Sequence, residues 1–173
     1  MNDELYYTGI INVNSKFKDK VITRKYYNNG TNKLFEIYAR ALSGQNVESM
    51  IPYYIDVEDS SGKSQLNSPV PVVVIYNDGS GYDYGTSSSN NPFTRVEALM
   101  TKQMLHQDVI NSADSSEISK FVLKTINNET LAFSDVENFV SSVKNLVSGT
   151  QMIITWDLFI TNKVKASVNG GNN

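Results

Sequence analysis

The chain has 173 residues, 40% of them apolar and only 19% charged, with a formal net charge of −3. That length suits one domain that buries about 70% of the surface its unfolded form exposes, without a staple. The lack of cysteine excludes disulfides, thiolate nucleophiles and cysteine-bound metals, and the acidic balance argues against a phosphate-binding face.

The first ten residues, MNDELYYTGI, carry acids where a secretory leader would carry positive charge. Leu5, Tyr7, Ile11 and Val13 share one parity with Gly9 between them, which predicts a first strand with one apolar face. Phe17 to Tyr27 is a second, less cleanly patterned strand, ended by Asn28-Asn29-Gly30. A helix is expected over about 32–43. Leu34, Phe35, Ile37, Tyr38 and Leu42 lie on one side, Thr31 or Asn32 can cap its start, and Gly44 stands where a left-handed C-terminal residue belongs.

Ile51, Tyr53, Ile55 and Val57 alternate with polar residues up to the turn Ser60-Ser61-Gly62. Val70 to Tyr76 is apolar on both parities, as in a strand covered on both faces, with Pro69 and Pro71 confining its beginning to an edge. It is the longest apolar run, far short of the ~20 residues of a membrane-spanning helix. The segment 77–91, NDGSGYDYGTSSSNN, is turn-rich and low in complexity, either a mobile, exposed tip or an ordered contact loop. After Pro92, Thr94 with Glu97 resembles a capping box, whereas Val96, Ala98 and Met100 alternate; strand is favoured over helix.

Ile118 to Ile126 predicts a strand, Asn127-Asn128 a turn, and Thr130 to Phe133 a short partner. Ser134 and Glu137 fit the S-x-x-E box, followed by the stripe Val136, Phe139, Val140, Val143, Leu146 and Val147, so a second helix is expected over about 134–148, before Gly149. Met152, Ile154, Trp156, Leu158 and Ile160 share one face of a last strand, with Thr155, Asp157 and Thr161 opposite. The Gly/Asn-rich tail, 168–173, is expected to be disordered. The fold class is therefore mainly β: a single antiparallel β-sandwich domain over 1–167, jelly-roll-like or Ig-like, with two short α-helices.

Reactive chemistry is sparse. His106 is the only histidine, and neither a G-x-S-x-G elbow nor a paired-histidine spacing accompanies it. Asp56, Glu58 and Asp59 offer clustered carboxylates, but same-face acids on one strand usually form a solvated face, and a distant second acid is missing. Asp78 to Asp83 lacks the residue order and closing Glu of an EF-hand. These observations predict no catalytic residue, no cofactor and no metal. Eight of the ten tyrosines recur in pairs, Tyr6-Tyr7, Tyr26-Tyr27, Tyr53-Tyr54 and Tyr82/Tyr84, and adjacent strand positions point to opposite faces. Tyr27, Tyr54, Tyr82 and Tyr84 are the candidate contact residues, since outward tyrosines add interface area at low entropic cost. The sequons at Asn29 and Asn128 read as chance occurrences.

The order SEISKFVLKTINNETLAFSDV followed by GTQMIITWDLFI resembles a module of tailed-bacteriophage structural proteins, particularly head fibres and tail-fibre or collar adaptors. GTNKLFEIYARALSGQ and IPYYIDVEDSSGK are similar to the helix and following strand of such modules; Phe121-Val122-Leu123-Lys124 departs from their usual Gly-Leu pair. The resemblance spans roughly 30 to 165 through hydrophobic and turn patterns and carries no catalytic residues. It implies a non-enzymatic virion component, assembled in the host bacterial cytoplasm. It would be a homo-oligomer contacting capsid, portal, collar or tail subunits, with neither nucleic acid nor membrane as partner. The alternatives are a carbohydrate-binding or adhesin module with Tyr82 and Tyr84 as sugar platform, and a hydrolase using Asp56 or Glu58.

Overall fold

The computed structural model describes residues 5–15, 18–26, 33–80, 92–112, 118–137 and 139–162. Its strands are β1 (Leu5–Ser15), β2 (Lys18–Tyr26), β3 (Tyr54–Glu58), β4 (Val70–Pro71), β5 (Val73–Asn77), β6 (Phe93–Thr101), β7 (Ile118–Lys124), β8 (Thr130–Glu137) and β9 (Gln151–Asn162). Three short helices accompany them: α1 (Lys33–Leu42), α2 (Gln107–Asn111) and α3 (Phe139–Lys144). The strands form a five-stranded sheet in the order β2-β1-β9-β6-β5 and a four-stranded sheet in the order β4-β3-β7-β8, with every pairing antiparallel. The fold is thus mainly β and matches the expected sandwich.

The period-2 pattern explains how the sheets meet. Val96 lies opposite Trp156, Ala98 opposite Ile154 and Met100 opposite Met152, so β6 and β9 present one apolar face. From the other sheet, Ile55 opposite Leu123 and Val57 opposite Phe121 present theirs. All ten side chains are buried in one cluster, with Trp156, Ile55, Phe121 and Met100 wholly inaccessible. Each large side chain so buried contributes about 1.5–3 kcal/mol.

Gly44 ends α1 at φ 76°, with its N–H donating to the Ala41 carbonyl and the Gln45 N–H to the Arg40 carbonyl. These paired bonds satisfy carbonyls that the helix end would leave open. Asn128 takes the only positive φ of a non-glycine among the described residues, at 66°, in the β7–β8 turn expected at Asn127-Asn128.

Three expectations need correction or refinement. Ser134 and Glu137 do not open a helix: both lie in β8, where Ser134 pairs with Phe121 and Glu137 with Ile118. Extended pairing with β7 outweighs the local capping pattern, and the helix that follows is only Phe139–Lys144. The run Val70 to Tyr76 is not covered on both faces. It changes sheets at Val72: β4 edges the four-stranded sheet, as the prolines require, and β5 edges the five-stranded one, largely exposed. After Pro92 the favoured strand is present as β6, but it gives way to a single 3-10 turn at Lys102–Met104 and then α2.

The candidate caps Thr31 and Asn32, the contact residues Tyr27, Tyr82 and Tyr84, the sequon at Asn29 and the tail 168–173 lie outside the described residues.

Candidate functional site

The carboxylate cluster on β3 is charge-compensated. Strand parity puts Asp56 and Glu58 on the face away from Ile55 and Val57, and register brings Lys124 of β7 beside them. The Lys124 ammonium lies 3.6 Å from Asp56 Oδ2 and 3.9 Å from Glu58 Oε1. Asp56, 5% exposed, also accepts the Ser64 hydroxyl at 2.6 Å and the Val57 N–H at 2.9 Å through Oδ1. A buried carboxylate needs such partners, and these tie the 64–66 segment to β3.

Asp59 does different work. Its Oδ1 accepts the Ser61 hydroxyl at 2.6 Å, the Ser61 N–H at 2.9 Å and the Lys63 N–H at 3.0 Å. The Ser61 hydroxyl foremost, and the two backbone donors after it, hold this carboxyl below its ordinary range. It is the hub of the 59–63 turn. Asp78 is similarly committed: it accepts the Ser80 N–H at 2.8 Å, and Ser80 lowers its pKa, while Asn77 accepts the Gly79 N–H. The remainder of that suspected cation loop, residues 81–85, lies outside the described residues.

His106 immediately precedes α2. Its N–H donates to the Gln65 carbonyl at 2.8 Å, and its own carbonyl accepts from Val109 and Ile110. Its side chain lines a depression of about 180 Å³ with Asp59, Lys63, Ser64, Gln65, Asp108 and Val109. That volume is below the roughly 300–1,000 Å³ of small-molecule sites, and the Gln65 carboxamide oxygen already accepts the Ser119 hydroxyl at 2.8 Å. Among the described residues, no three His, Asp or Glu side chains are grouped to hold a metal.

On the outer face of the five-stranded sheet, sequence reasoning missed one pairing. Asp157, wholly buried, accepts Arg95 Nε at 2.7 Å on Oδ1 and Arg95 Nη2 at 3.0 Å on Oδ2. The residues are directly opposite in the β6–β9 register, and the guanidinium also lies 5.7 Å from the Phe93 ring centre. This two-pronged geometry is the strong form of a charge-assisted bond. An acid amid the apolar residues of β9 was its only sequence signal.

Among the described residues, one stretch of open surface is apolar. Val73 and Tyr76 of β5 are 63% and 75% exposed, and Val74, Ile75 and the nearby Leu99 are also exposed. Val74 shares the inner face with Val96, yet it stays exposed at the sheet margin. In α1 the first turn docks through Leu34 and Ile37, while Tyr38 and Leu42, on the same apolar stripe, remain exposed. Tyr54, the one candidate tyrosine among the described residues, is half-buried on the outer face, its ring edge-on to Tyr53 at 4.6 Å. Tyr53 is the more exposed of the two.

No family model matches the chain, and neither a curated protein nor a solved structure matches it.

Proposed function

We propose that this chain is a non-enzymatic assembly module and, following the resemblance in its last third, a structural component of a tailed-phage virion: a head fibre or capsid accessory, or a tail or collar adaptor. One observation carries the assembly reading. Apolar side chains of β5 and of the distal half of α1 stand in solvent, whereas the acids that sequence marked for chemistry are committed to turns and ion pairs. Isolated exposed apolar residues are ordinary, but a run of four on an open strand fits a contact surface. Function would then follow from shape, with weak contacts multiplied by symmetric repetition.

Mass spectrometry of purified particles from the source phage tests the virion reading: stoichiometric presence is expected, and absence overturns it. A glycan array addresses the carbohydrate-binding alternative; specific binding there would replace the assembly reading.

A further inference from the structure

The two sheets end in four outer strands, and three carry a device against pairing. β2 holds Lys18, Asp19, Lys20, Arg24 and Lys25 in its sequence, β4 is two residues long with Pro71, and β8 carries Asp135 and Glu137. Charged residues, proline and short length are the usual means of blunting a sheet edge. β5 has none of them. Its sequence is VVIYN, uncharged throughout, and among the described residues no strand lies beyond it. Its outer backbone donors and acceptors are those an extended chain satisfies.

We propose that this edge pairs with the β5 of a second copy, antiparallel across a two-fold axis, joining two five-stranded sheets into one of ten. The proposal deepens the assembly reading and rests on it. Charge permits an identical partner here: self-pairing of β8 would bring the acids of the two copies together, whereas β5 carries no charge to repel its own copy. Geometry then fixes the register. A two-fold axis relating strands side by side stands perpendicular to the sheet, so it keeps each residue on its own face. Directly opposed residues in an antiparallel pair point to the same face, so partners must share parity and the axis must pass midway between the two copies of one residue. Only Ile75 is central to the five-residue strand. Ile75 therefore opposes its own copy, Val74 opposes Tyr76 in both directions, and Val73 opposes Asn77. The Val74–Tyr76 pairs are of the favourable β-branched–aromatic kind.

A five-residue ladder belongs to the small class of specific interfaces, below about 1,200 Å² in total. The dimer is accordingly weak, with a dissociation constant on the order of 10 µM or higher.

The test uses the full chain. Sedimentation equilibrium from micromolar to millimolar concentration should show a reversible monomer–dimer equilibrium. Ile75→Lys, which places two ammonium groups face to face on the axis, should weaken it at least tenfold with unchanged circular dichroism. The chain lacks cysteine, so Ile75→Cys gives one thiol per copy. Opposed antiparallel Cα atoms lie within disulfide reach, and mild oxidation should therefore yield a covalent dimer from Ile75→Cys but little from Val73→Cys. A monomer at every concentration overturns the proposal, including one that binds some other extended peptide. So does a dimer indifferent to Ile75→Lys, or one cross-linked as readily through Val73→Cys. Failure here with the protein present in particles refutes the dimer alone; a cross-linked dimer absent from particles refutes the virion reading alone.

Discussion

Ser134→Ala is expected to stabilise this protein, although Ser134 fits a helix-capping pattern. The Ser134 hydroxyl sits inside the sandwich on the inner face of β8, 4% exposed, between Ala132 and Val136 and opposite Phe121, and among the described residues it has no hydrogen-bond partner. A buried hydroxyl left unpaired costs about 1–3 kcal/mol of desolvation. Alanine removes that cost and deletes one oxygen, leaving a void smaller than a methyl group and returning a few tenths of a kcal/mol. The net gain is about 1 kcal/mol. Were Ser134 an N-cap, alanine would instead cost about 0.5–2 kcal/mol. The two accounts differ in sign, so the experiment decides between them. In urea unfolding, the midpoint should rise with the slope unchanged, and Tm should rise by about 2–4 °C for a chain of this size. A fall in the midpoint equivalent to 1 kcal/mol would refute the placement of Ser134 in the core.

Arg95→Met should cost about 3 kcal/mol in urea unfolding, because it removes the two-pronged cationic partner of the inaccessible Asp157 carboxylate. Adding Asp157→Leu should recover most of that loss; a single-variant loss under 1 kcal/mol would show that the pair is dispensable. Gly44→Ala should destabilise by about 1 kcal/mol, wholly through the backbone, since an added Cβ meets no atom within 4 Å while φ is +76°; a neutral result would count against the left-handed cap. Asp59 has a folded pKa below its ordinary 3.8, so its stabilisation is full above that value and is lost as pH falls through the folded one. Asp59→Asn should thus cost stability, by less than about 1 kcal/mol for so exposed a group, at pH 7 and progressively less below pH 4. A gap between the two proteins that stays constant to pH 2.5 would contradict this.

Where sequence succeeded and failed has physical causes. The faces of β9 and β3 were legible because one side of each meets the core, and burial imposes a period of two. The end of α1 was legible because Gly44 does a job few residues can do. The segment after Phe133 misled because Val136, Phe139, Val140 and Val143 suit a helix, while Ala132, Ser134 and Val136 equally suit a strand; only the presence of β7 alongside selects the latter. The run at 70–76 misled for a related reason. Apolarity on both parities is the same whether a strand is covered twice or left open for a partner, and no local pattern reports on neighbours. Arg95 and Asp157 lie 62 residues apart, so neither announces the other. The partners of the acids were hidden in the same way: Asp56, Glu58 and Asp59 are close in sequence, but Asp56 and Glu58 lie beside the distant Lys124 while Asp59 turns into the 59–63 loop.

The position of β9 also sets the order in which the molecule is made. It is the third strand of the five-stranded sheet, flanked by β1 and β6, which do not pair with each other. Gly9 meets Leu158 roughly 150 residues further along the chain. At synthesis rates of about 5–20 residues per second, the β1–β2 hairpin waits on the order of ten seconds for its other neighbour to emerge. During that wait β1 and β6 have no middle strand between them. A ribosome stalled before residue 151 would therefore display two separate half-sheets, and such chains are the ones a chaperone should be found holding.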